Sequence, residues 1–175
     1  IGALTLDTGD LTVYNGASIT HSESTTDSPQ AKISIDVQTG DATILGSIDL
    51  TERGFIYDKG QGAGERTNGG AGGGAHGGNG GDGRVGAGGN IYGDPATPDR
   101  LGSGGGDNGH GHAGYGGGVL KLVVSGTTTV NGSIIANGGV GIDDSVNVAG
   151  GGAGGSIWID TGTLDGVGTI QADGG

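Results

Sequence analysis

Residues 119–137, VLKLVVSGTTTVNGSIIAN, contain the pattern that decides the fold. Leu120 and Leu122 alternate with outward positions, a turn containing Gly follows, and Gly132-Ser133-Ile134 opens a further short strand. Successive side chains of a strand point to opposite faces, so the two leucines are expected to face a core. The segment therefore predicts short strands separated by glycine turns.

The same frame occurs three more times, in residues 3–20, 31–50 and 156–173. On the first strand of each copy two apolar residues fall on one face: Leu4 and Leu6, Ile33 and Ile35, Leu120 and Leu122, and Ile157 and Ile159. Repeats of this kind indicate units that bury apolar residues only against neighbouring copies. The sequence predicts an all-β fold, a short parallel β-solenoid of about four rungs, right-handed because parallel crossovers almost always are.

The outward positions align into columns as well. They are Thr5, Ser34, Lys121 and Trp158 in one column, and Asp7, Asp36, Val123 and Asp160 in the next. An antiparallel β-sandwich is the alternative fold, but it gives no reason for one frame to recur. The aspartates have no Arg or Lys organised over them, and no nucleophile, nucleotide or zinc-protease motif is present. We therefore expect a protein that is not an enzyme.

Composition restricts the partners. The chain has 175 residues, of which 48 are Gly and 31% are hydrophobic, and its formal net charge is -12. Nucleic acids and anionic membrane faces are unsuitable partners because both require clustered Lys and Arg. No apolar run approaches the roughly 20 residues that a membrane span needs. From composition and repeat type we expect an extracellular or cell-surface location.

A glycine-rich insertion, residues 54–117, separates the second and third copies within a single domain of residues 1–175, and 27 of the 59 residues from 60 to 118 are Gly. Part of it has a period of three: two residues separate each of His76, Asn79, Asp82 and Val85 from the next. Extended helices with three residues per turn place glycine where chains pack closely. This predicts a polyglycine II-like layer on one corner, with Gly78 and Gly81 inward; a flexible linker is the alternative.

Two resemblances follow from these residues. Residues 69–89 and 102–118 resemble the polyglycine II bundles of glycine-rich arthropod antifreeze proteins and of some phage tail-tip adhesins. Residues 150–175, GGGAGGSIWIDTGTLDGVGTIQADGG, are similar to the repeats of large glycine-rich microbial surface proteins and of adhesin-type, filamentous β-helix exoproteins. The resemblance implies an extracellular scaffold or adhesive role without naming a ligand.

We expect no cofactor, and calcium is the alternative. Residues 77–85, GGNGGDGRV, match a calcium-binding nonapeptide through Asp82, although Arg84 stands where a large apolar residue is expected and no tandem copy follows. Asp143 and Asp144 form a second pair of oxygen ligands in a glycine-rich loop. The alternative for both is a solvated turn.

Four side chains are candidates for contact with a ligand or another subunit. Trp158 lies outward beside Lys121, where it could stack on a sugar, form a cation–π pair or be covered by a neighbouring subunit. Tyr92 and Tyr115 lie in the insertion. The sequence favours a subunit or module of a surface fibre that stacks head to tail, and an adhesin tip recognising glycans is the alternative. Ice binding is a weaker hypothesis. It rests on a row of equivalent outward threonines, Thr12, Thr43 and Thr129, and Asp165 interrupts this row in the fourth copy.

Overall fold

The computed structural model describes residues 3–6, 9–28, 31–110, 113–143 and 147–175. These residues contain ten strands and no helix. The strands are β1 Ala3–Leu6, β2 Leu11–Val13, β3 Ser18–Ile19, β4 Ile33–Val37, β5 Ala42–Ile44, β6 Ser47–Asp49, β7 Val119–Val130, β8 Ser133–Ile135, β9 Ser156–Asp165 and β10 Thr169–Gln171. All four copies of the sequence frame form strands, because each supplies β-branched and apolar residues in alternation.

The strands form two parallel sheets. The six-stranded sheet has the order β1-β4-β7-β5-β2, with β9 paired to β7, and the four-stranded sheet has the order β10-β8-β6-β3. Every pairing between named strands is parallel. The larger sheet curls, and each copy contributes to both sheets.

The predicted architecture, a right-handed four-rung solenoid with a polyglycine II-like insertion on one corner, is wrong. Strand β7 has 12 residues and pairs with both β4 and β5, and β9 follows it for ten residues. Gly126 and Gly162, expected at turns, lie inside these strands. A register shift between Val124 and Thr127 bends the strand there without ending it. The result is one curled sheet facing a second sheet.

The register of the later copies agrees with the predicted columns. Ser34 pairs with Lys121 and Lys121 with Trp158, while Asp36 pairs with Val123 and Val123 with Asp160. The first copy is displaced by two residues, so that Thr5 pairs with Asp36 and not with Ser34. A two-residue shift keeps every side chain on its own face, so the alternation alone could not detect it. Asp7 lies outside the described residues.

The core lies between the two sheets. Its fully buried members come from both, and include Ile35, Ile44, Ile48, Leu120, Leu122 and Ile134. Burying one such side chain stabilises the fold by about 1.5–3 kcal/mol. The chain has only one Phe and one Trp, so these aliphatic residues are its main buried apolar side chains. A smaller cluster of Phe55, Leu101 and Val119 joins the insertion to β7.

Backbone hydrogen bonds order the glycine-rich insertion, although none of its described residues from 60 to 117 belongs to a strand. Gly73 N donates to Gly81 O at 2.9 Å, Gly80 N to Gly89 O at 3.0 Å, and Gly89 N to Gly73 O at 2.9 Å. The insertion also bonds to the segment after β8, since Gly74 N donates to Gly151 O at 2.8 Å. Buried amides need partners, and these extended segments supply them to one another.

The close approaches in the insertion differ from those predicted. A Cβ at Gly78 or Gly81 would meet open space, whereas a Cβ at Gly80 would collide with the carbonyl of Gly73. Gly80, Gly83, Gly86 and Gly89 are crowded, and so is Gly88, whose Cβ would collide with the carbonyl of Gly80. The predicted inward positions, Gly78 and Gly81, are therefore wrong, because the crowding at each glycine depends on where neighbouring segments lie.

Candidate functional site

Open strand edges occur at one end of the molecule. Among the described strands, β9 pairs only with β7 and β10 only with β8, so the far edge of each is without a strand partner. Strands β1, β2 and β3 are the corresponding outer strands at the opposite end. An unpaired edge presents a row of N–H and C=O groups that can template pairing with another strand.

The end at β9 and β10 also exposes apolar side chains. Ile170 pairs with Ile134, and Ile134 pairs with Ile48; the two inner isoleucines are fully buried, whereas Ile170 is 43% exposed. Leu164 and Val167 are exposed beside it, Val167 by 93%. We call the free edges of β9 and β10 with Leu164, Val167 and Ile170 the end face.

A groove of about 660 Å³ runs beside the end face. On one side it is lined by β10 and the residues after it, and on the other by the loop of residues 91–98. We call it the end groove. Residues that line it include Ile91, Tyr92, Pro95, Pro98, Ile170, Gln171, Ala172 and Gly174.

His76 and Tyr92 anchor the loop wall of the end groove. Their rings lie 5.0 Å apart, and His76 Nδ1 lies 3.2 Å from Gly154 O. Burial lowers the pKa of His76, so the imidazole is neutral at pH 7 and donates from Nδ1 to that carbonyl. The Tyr92 hydroxyl donates to Leu101 O and accepts from Ser103 Oγ at 2.9 Å. These bonds hold the wall in place.

Burial raises the pKa of the Tyr92 hydroxyl to about 12, from its ordinary value of 10.0. As pH rises above 10, the unfolded chain loses this proton first, so we expect the free energy of unfolding to fall between pH 10 and 12. Below pH 10 the contribution is fully present. Urea unfolding of the wild type and of Tyr92→Phe measures it as the difference between the two pH profiles. Parallel profiles would contradict the assignment, because the other tyrosines are common to both proteins.

The four predicted contact residues do not form one site. Of them only Tyr92 lines the end groove. Lys121 Nζ lies 4.4 Å from the ring centroid of Trp158, so a cation–π pair covers one face of the indole on the outward side of the larger sheet. Tyr115 packs against Tyr57, with ring centroids 5.9 Å apart.

The predicted calcium ligands have other surroundings. Asp82 Oδ1 accepts a hydrogen bond from Gly88 N at 2.8 Å, and Asp143 forms an antiparallel bridge with Val148. Asp144 lies outside the described residues. Within the part of the chain that the structure describes, no three His, Asp or Glu side chains cluster as metal ligands. The described ranges also contain no helix long and apolar enough to cross a bilayer.

Sequence reasoning missed the end groove and its exposed apolar residues. Ile170 has the same residue type as its aligned partners, so nothing in the local pattern marks it as exposed. Ile91 follows a glycine-rich tract and gave no periodic signal. Neither residue type nor spacing marked these positions in the sequence.

Comparison of the chain with protein-family models, with curated proteins and with solved structures finds no match. Its function is therefore argued from the geometry of the end face and the end groove.

Proposed function

We propose that this protein is an extracellular structural module that associates with itself end to end, through the edge strands of its parallel sheets, to build a surface fibre or filament. The observation that carries the proposal is the exposure of Ile170 on an open edge, where the aligned Ile134 and Ile48 are fully buried. A further layer of strands is what buries these positions inside the molecule. A second copy would supply the same layer at the end face.

The two ends of the chain are complementary in register. Ser18 pairs with Ser47, Ser47 with Ser133 and Ser133 with Thr169, so continuing the series places Ser18 of a second copy beside Thr169. The sheets are parallel throughout, so the second copy needs no reversal of direction. Such a contact joins two different surfaces and leaves both outer ends free, and it therefore builds an open filament.

Charge and apolar exposure act in opposite directions at the end face. The formal net charge of -12 makes two copies repel one another, and the exposed Asp160 and Asp165 on β9 add to this repulsion, whereas Leu164, Val167 and Ile170 gain from being covered. Salt screens charges beyond a Debye length of about 10 Å at 0.1 M, so added NaCl is expected to promote association.

Sedimentation velocity over a range of protein and NaCl concentrations tests the proposal. We expect elongated oligomers that grow with both concentrations, and we expect Val167→Asp and Ile170→Asp to remain monomeric. Val85→Asp is the matched control, because Val85 is 64% exposed but lies away from the end face on the insertion. A wild-type protein that stays monomeric at millimolar concentration would sink the proposal.

Cysteine cross-linking tests the register, since the chain has no Cys of its own. Ser18→Cys and Thr169→Cys, each alone, should give no product with a short thiol cross-linker. Mixing the two single variants should give dimers, and the double variant should give a ladder of oligomers. Dimers formed by either single variant alone would indicate a head-to-head contact and contradict the proposed one.

A further inference from the structure

Three segments that directly follow strands of the smaller sheet lie side by side: residues 50–52 after β6, 136–138 after β8 and 172–174 after β10. The same pattern of backbone hydrogen bonds joins each of the first two to the next. Leu50 N donates to Ile135 O at 2.7 Å, and Ala136 N donates to Gln171 O at 2.8 Å. Two residues later the pattern repeats, with bonds from Glu52 N to Asn137 O at 2.9 Å and from Gly138 N to Asp173 O at 2.8 Å. Each segment therefore donates two N–H groups, spaced by two residues, to carbonyls of the next.

The outermost segment has the same two donors, and no segment among the described residues receives them. By the strand register, Ala172 and Gly174 are equivalent to Ala136 and Gly138. Neither N–H has an acceptor among the described residues, and both residues line the end groove. Backbone donors of this kind require a partner when they are covered. The end groove is thus bounded on one side by an edge prepared to bind an extended chain.

The opposite side of the end groove is a fixed wall that is mainly apolar and carries one carboxylate, Asp94. Ile91 is 59% exposed, and Pro95 and Pro98 lie on the same loop. Besides the Tyr92 bonds, Ile91 N donates to Asn79 Oδ1 at 2.9 Å and Ser156 Oγ donates to Arg100 O at 2.7 Å. A wall tied at both ends adds an apolar contact that an isolated strand edge lacks.

We propose that the end groove is the binding site for residues 20–23 of a second copy, which bind in an extended conformation; we call this site the seat. In the continued register, the carbonyls of Thr20 and Ser22 of that copy accept from Ala172 N and Gly174 N. Ser22 O also accepts from His21 Nδ1 at 2.8 Å within its own molecule, so the bond from Gly174 N uses its second lone pair. The inference rests on the proposed end-to-end association and adds a specific component to it. Residues 20–23 fit because they follow β3 directly, belong to no strand in their own molecule and leave Thr20 and Ser22 exposed.

Two pairs of variants test the seat by sedimentation velocity. Ala172→Pro removes one donor, and Ala172→Ser is its control because it keeps the N–H. Ile91→Asp places a charge on the apolar wall, and Val85→Asp is its control on the same insertion. We expect each test variant to weaken association about tenfold, as loss of a hydrogen bond or apolar contact of about 1.4 kcal/mol implies, and each control to leave it unchanged.

Amide exchange gives a second measurement that does not depend on the variants. The amides of Ala172 and Gly174 should exchange freely in the dilute monomer and become protected in the oligomer. If these amides stay unprotected and both test variants associate normally while Ile170→Asp does not, the seat is wrong and end-to-end association stands. If the wild type does not associate at all, both the seat and the proposed function are overturned.

Discussion

Replacing Gly72 with alanine is expected to destabilise the protein by about 3 kcal/mol or more, among the largest effects of any single methyl group in this chain. A Cβ at Gly72 would collide with the carbonyl of Ala87. The same glycine donates to Glu65 O at 3.0 Å and accepts from Gly106 N at 2.8 Å. The backbone cannot move aside without breaking these bonds, and the collision involves no flexible side chain that could give way.

Gly78→Ala is the matched control, because a Cβ there meets nothing within 4 Å. We expect its free energy of unfolding to stay within about 0.5 kcal/mol of the wild type. Urea unfolding compares the two variants, and amide exchange at Gly73, Gly80 and Gly89 reports whether the insertion is still ordered. Equal tolerance at both positions, with rapid exchange at all three amides, would mean that the insertion behaves as a flexible loop.

The second large effect is expected in the core, for Ile134→Ala. Ile134 is fully buried between Ile48 and Ile170, so truncation should cost about 2–5 kcal/mol through lost burial and a residual cavity. Ile170→Ala makes the same chemical change in the same column at an exposed position, and should cost less than about 1 kcal/mol. Chemical unfolding at a dilution where the chain is monomeric measures both.

This comparison also examines the end face. The measurement is then repeated at a protein concentration where the wild type is associated. There, Ile170→Ala should lower the free energy of unfolding by more than it does in the dilute monomer, because a second copy covers the side chain. Ile134 should show no such dependence on concentration. A cost for Ile170→Ala that equals that of Ile134→Ala in the dilute monomer would show that the end face is already covered within one chain.

Ordering the insertion requires compensation for a large conformational entropy. Fixing a residue's backbone costs about 1–2 kcal/mol, and glycine loses the most freedom of any residue. The insertion has few apolar side chains to offset this cost, and its buried alanines, such as Ala71 and Ala75, are small. Its extended segments instead satisfy one another's amides at close range. That arrangement tolerates few substitutions and suits a structural role.

The sequence by itself determined the strands, the faces of their side chains and the alignment of the last three copies. These follow from local stereochemistry, because the two-residue alternation fixes which residues share a face. The sequence could not separate a turn from a bend at Gly126, nor detect the two-residue shift that pairs Thr5 with Asp36.

Only the tertiary structure decided which glycines are crowded, that Gly126 continues a strand, and that Ile91 and Ile170 border one groove. Ile48, Ile134 and Ile170 have the same side chain in the same frame, and they differ only in whether a further strand lies beside them. Burial is a property of neighbours distant in the chain. A repeat predicts which apolar side chains of each copy can be buried, and the tertiary structure determines which of them remain exposed.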